Sequence, residues 1–148
     1  MCELCPIDLS DIAEEHRQEV DADGFSIVHT TGGTSGYPLT YTVGLSRQDG
    51  QRDLLVSGAP VALSYLLVDR LARRVLAGEH FDAGDQLDDL GRVLMRFEPV
   101  GHPECAVLLQ AMYAEDGPPL PLLQVVWQDD HGRWPWEELD AGVDLVQT

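Results

Sequence analysis

The apolar period of this chain changes several times within a short length, and that alternation limits the fold more than any other feature. Leu9, Ile12, Ala13, His16 and Val20 recur at helical spacing, and Gly24 supplies a stop, so a helix is expected there. Residues 25–30 and 39–45 switch to the two-residue alternation and β-branched content of strands, with a polar hairpin loop from Thr31 to Pro38 between them. A short strand is expected from Asp53 to Ser57. Gly58, Ala59 and Pro60 then turn the chain into a second helix, with Leu63, Leu66, Leu67, Leu71 and Val75 as its buried stripe. Arg70, Arg73 and Arg74 close that helix before Gly78, where the dipole favours positive charge. An acidic loop over residues 78–91 follows, then a fourth strand carrying Val93, Met95 and Phe97. A third helix is expected from Pro103 to Ala114, and a last strand over residues 122–128. The order predicts one α+β domain over residues 1–148, with a mostly antiparallel sheet of about five strands and about three helices.

A chain of 148 residues buries a core without needing disulfides. Its 26 acidic residues face nine basic ones, all arginine, for a formal charge of −17. Such a surface repels phosphate, which argues against DNA and against direct RNA binding and favours a basic protein partner or plain solubility. No apolar run reaches the ~18 residues of a membrane span. The acidic opening MCELCPIDLSDIAEEHR lacks the regions of a secretory signal, so a cytoplasmic location is expected.

All three cysteines fall in two metal-ligand spacings, Cys2-x-x-Cys5 and His102-x-x-Cys105. In a reducing compartment they suggest metal more than disulfide, and one thiolate pair with one imidazole–thiolate pair at such spacing suits tetrahedral Zn2+. Cys2, Cys5, His102 and Cys105 are therefore the candidate ligands, with His16, His29 and His80 in reserve. Cys105 at the head of a helix should be a thiolate stabilised by the dipole; against this, Val107, Leu108 and Leu109 beside it suit a buried core thiol. A thioredoxin-like role fits poorly, because no strand precedes the first motif. The loop from Thr31 to Gly36 lacks a P-loop ending and precedes a strand.

All three tryptophans lie within ten residues, and Trp127 should pack with Val125. Arg133, Trp134 and Trp136 have the composition of a partner-binding patch, or of a seal over the end of the sheet. Four protein ligands would close a zinc site, which points to a structural or sensing role in a non-catalytic regulatory adaptor. The alternative is a metal-dependent hydrolase, with three ligands, a zinc-bound water and Glu104 as general base. No HExxH supports it.

The N-terminal Cys-x-x-Cys, Tyr41-Thr-Val-Gly-Leu45, Leu55-Val-Ser-Gly-Ala-Pro60 and Gln124-Val-Val-Trp-x-Asp-x-x-Gly-Arg-Trp-Pro-Trp136 together resemble the bacterial family catalogued as domain of unknown function 4262, common in actinobacteria. The resemblance spans nearly the whole chain, implies an α+β domain, and brings no established activity or catalytic residues. Within the family, the chain is similar to the mycobacterial type that recruits a hibernation-promoting protein to ribosomes when zinc is scarce. That similarity implies stress-linked ribosome hibernation, with a hibernation factor or ribosomal protein as the partner.

Overall fold

A computed structural model describes residues 9–32, 37–48, 50–90, 94–114, 117–128 and 134. Cys2, Cys5, Val93, Arg133 and Trp136 lie outside the described residues.

Helix α1 spans Leu9–Asp23 and buries Ala13 and Val20. It ends where the Gly24 N–H donates to the Val20 carbonyl at 2.8 Å, with Gly24 at φ 91°. Strands β1 (Ser26–Gly32) and β2 (Tyr37–Val43) form an antiparallel hairpin in register from Ser26 opposite Val43 to Gly32 opposite Tyr37. Strand β3 (Asp53–Ser57) pairs antiparallel with β2 and leads into α2 (Val61–Leu76). Two residues of the acidic loop, Gln86 and Leu87, form a short strand β4 against β5 (Met95–Pro99). A single 3-10 turn (Pro103–Cys105) precedes α3 (Val107–Leu109), which widens into a π-helical turn over Gln110–Ala114. Strand β6 spans Leu122–Trp127.

One six-stranded sheet results, in the order β1-β2-β3-β6-β5-β4. Among the described residues, only β3 and β6 run parallel; every other neighbouring pair is antiparallel. The α+β class with a mostly antiparallel sheet is as the sequence predicts, and β4 adds a sixth strand. No sequence pattern marked β4, because two residues are too few to show an alternation.

Both faces of the sheet are covered. One face packs against α2 through Phe25, Ile27, Leu54, Val56, Leu71, Phe97, Leu123 and Val125. The other packs against α1 and α3 through Val28, Leu39, Tyr41, Val43, Leu55, Leu109 and Leu122. The central strands β3 and β6 are therefore buried on both sides, which is why Leu54-Leu55-Val56 and Leu122 to Val126 read as unbroken buried runs.

The buried stripe of α2 differs from the expectation. Ser64, Leu67, Val68, Leu71, Ala72 and Val75 face the sheet, whereas Leu63 and Leu66 are 47% and 49% exposed. Apolar residues occupy more of the circumference of this helix than one sheet can cover, so periodicity alone did not fix which arc faces inward.

Candidate functional site

Of the two candidate metal-ligand motifs, the described residues include the turn carrying His102 and Cys105. The Cys105 N–H donates to the His102 carbonyl at 3.1 Å, closing a single turn with Pro103 at its first position. His102 and Glu104 are exposed, while Cys105 is half-buried and packs against the core beneath α3. Its body sits against the core, as the buried-thiol reading expects, and its other side stays open.

The thiol is not the dipole-stabilised thiolate expected from sequence. Burial pushes its pKa up, and the neighbouring Glu104 carboxylate adds to the shift. The reason is local: Cys105 ends a three-residue 3-10 turn and precedes α3 instead of standing in its first turn, so no aligned stack of helical amides faces it.

Two anchors hold this turn and α3 in place; Tyr41 opens one of the motifs read in the sequence, but the anchoring role of neither residue was legible there. Tyr41, on β2, is almost wholly buried, and its hydroxyl accepts the Leu108 N–H at 3.2 Å. Burial pushes the Tyr41 phenol up to about 12, so it stays protonated and neutral. From the other side, the Gln110 amide donates to the Pro103 and Leu120 carbonyls, both at 3.0 Å, and accepts the Leu120 N–H at 2.6 Å. Gln110 therefore ties the 102–105 turn to the chain entering β6. A mid-helix Gln and a strand Tyr are ordinary residues, and only their distant partners give them this role.

The reserve histidines are already engaged. His16 Nδ1 lies 2.5 Å from the Ser26 hydroxyl, which in turn donates to Glu19. His29 Nδ1 lies 2.8 Å from the Thr40 hydroxyl. His80 sits 3.1 Å from Asp82 and forms an ion pair when protonated. His16 and His29 both line a cavity of about 280 Å³, shared with Ile12 of α1, Tyr41 of β2 and Leu108 of α3. Among the described residues no three His, Cys, Asp or Glu side chains converge as a metal site. Of the partner-patch residues, the described one, Trp134, is half-buried; Trp127 packs partly against the α2 face in the cluster that holds Val125, as expected.

The Tyr41–Leu45 motif has a structural role. Asp53 is fully buried, and its carboxylate accepts from the Thr42 hydroxyl at 2.8 Å, the Leu45 N–H at 2.9 Å and the Ser46 N–H at 3.3 Å. The Thr42 hydroxyl accepts the Leu54 N–H at 2.9 Å. Gly44 takes φ 104°, and a Cβ there would sit 2.8 Å from Val20 Cγ1, so glycine is required. Burial lifts the Asp53 carboxyl to about 6, opposed by these hydrogen bonds.

The family model described as Domain of unknown function (DUF4262) matches residues 19–139. The chain belongs to the DUF4262 family. The match takes in Tyr41, Asp53, His102, Cys105 and Trp134, and leaves Cys2 and Cys5 outside it. No curated protein and no solved structure matches the chain. No helix among the described residues is long and apolar enough to cross a membrane.

Proposed function

We propose that this DUF4262 protein is a non-catalytic, zinc-responsive regulatory adaptor of the cytoplasm, in which Cys2, Cys5, His102 and Cys105 hold Zn2+. The observation that carries the reading is the His102–Cys105 turn: an exposed imidazole and a half-open thiol on one short turn, braced by Tyr41 and Gln110. Rigid support of this kind preorganises two donors and leaves the remaining positions to ligands from another segment. The Cys-x-x-Cys of the actinobacterial type is the natural source.

Occupancy would tie the first residues to the segment before α3 and so alter the surface offered to a partner. The charge of −17 suits a basic, ribosome-associated protein, and the finer form of the reading is recruitment of a hibernation factor to the ribosome when zinc is scarce. Arg133, Trp134 and Trp136 are the proposed contact residues. They are of the types that dominate binding energy in other interfaces.

Zinc content of protein purified without chelator tests the site. The reading expects about one equivalent, lost on Cys2→Ser with Cys5→Ser while the fold persists. Protein with less than about a tenth of an equivalent would contradict it. For the adaptor role, capture of a purified hibernation factor should depend on zinc for the wild type and lose that dependence in the double-serine variant.

A further inference from the structure

We propose that the outer flank of α2 is a binding site for an apolar carboxylate, a free fatty acid of medium chain length, held by the Arg70 guanidinium. The flank forms one wall of an open groove of about 450 Å³. Leu63, Leu66 and Leu67 line it from the helix, and Leu90, Met95 and Trp127 line it from the sheet side. That volume falls within the range of small-molecule sites, and so does a wall that is apolar apart from a few charged groups.

The groove is surplus to folding. Leu67 and Met95 are buried in the core, but Leu63 and Leu66 are about half exposed, so the α2 face of the sheet closes without them. Leu63, Leu66, Leu67 and Arg70 follow the spacing of one helix flank, and from the first to the last is about 10 Å of helix. The groove therefore runs about two turns from leucines to a guanidinium.

Two charged groups line it, and only one is committed. Asp89 is held by Arg74 through contacts of 2.7 and 3.2 Å, and Arg74 is further held by Glu79 at 2.8 Å. Arg17, Arg47, Arg73 and Arg96 also lie within 4 Å of a carboxylate. Arg70 makes no ion pair with a described carboxylate, although the chain is rich in them. Its planar fork of donors suits a two-oxygen acceptor. The charge of −17 opposes any anion at long range, so recognition depends on this short-range pair plus burial of the chain. A cationic or neutral amphiphile would gain the burial but leave Arg70 unpaired.

The site is independent of the zinc reading and is tested on metal-free protein. Methyl NMR of the methionines suits it, because Met95 lines the groove while Met112 is buried on the opposite face of the sheet. Decanoate, decanol and decylammonium, each below its aggregation limit, are the probes. Decanoate should shift the Met95 methyl saturably and leave Met112 in place. Arg70→Gln should weaken decanoate about tenfold or more, the scale of a charged hydrogen-bonded pair, and decanol much less. Leu66→Asp, at an exposed position whose fold the Met112 signal monitors, should abolish the Met95 response. An unmoved Met95 signal, equal decanoate affinity in Arg70→Gln and wild type, or decylammonium binding as tightly as decanoate would each overturn the proposal.

Discussion

The two faces of the sheet are built on different principles. On the α2 side, the contacts are nearly all apolar, from the Phe81–Phe97 ring stack at 4.6 Å to the leucines of β3 and β6. On the α1 and α3 side, buried polar groups with distant partners are set into the apolar packing, among them Tyr41 with Leu108, and Gln110 bridges Pro103 and Leu120. Burial is non-directional and tolerates a helix rotated about its own axis, whereas a hydrogen bond fixes one atom against another. The face that must hold His102 and Cys105 at defined positions has directional anchors on both sides of their turn. The α2 face has fewer, chiefly the Gln51 side-chain oxygen accepting the Phe81 N–H at 3.0 Å, and keeps apolar surface to spare.

The largest expected break of this contrast lies on the apolar side. Phe97→Ala removes a wholly buried ring and its stacking on Phe81, and should cost about 3–5 kcal/mol in denaturant unfolding. A loss under about 1 kcal/mol would mean that the face repacks freely.

Next in size is the pH response of Asp53. Its folded value, about 6, lies above the ordinary 3.8, so the folded state binds the proton more tightly than the unfolded chain does. The associated stability is fully present below the unfolded value and is lost as pH rises through about 6. A shift of this size corresponds to about 3 kcal/mol at most. Stability measured from pH 4 to pH 7 should fall over that window, and Asp53→Asn should flatten the fall. A stability that rises over the same window and is unaltered by the substitution would refute this assignment.

Tyr41→Phe should cost about 1–2 kcal/mol by leaving the Leu108 N–H without its acceptor, and amide exchange should quicken at Leu108 before it does in β3. Uniform quickening across both faces would remove the anchoring role. Smallest of all, Leu66→Ser on the exposed flank should change stability by less than about 0.5 kcal/mol. A larger cost would make the flank part of the core.

Much of the apolar architecture was legible in the sequence, because alternation in Met95 and Phe97 and the helical spacing of Leu67, Leu71 and Val75 report burial directly. Leu63 and Leu66 misled, since a helix with apolar residues over most of its surface carries no mark of which arc turns inward. The anchors were invisible for a different reason. Tyr41 and Leu108 stand 67 residues apart, and their bond exists only once the sheet brings β2 beneath α3. At the candidate site, the two spacings identified His102 and Cys105 as a pair, but the state of Cys105 depended on a 3-10 turn that spacing cannot distinguish from an α-helical one. Cys2, Cys5, Arg133 and Trp136 lie outside the described residues, so their part rests on composition and resemblance.

Zinc K-edge absorption on the purified protein addresses the central claim most directly. Three sulfurs near 2.3 Å and one imidazole nitrogen near 2.0 Å should surround the ion, in about the geometry of closed structural sites. His102→Ala should then replace the nitrogen signal or release the metal. A first shell of oxygen and nitrogen without sulfur, or a spectrum identical in wild type and His102→Ala, would contradict a zinc-responsive site built from the two motifs.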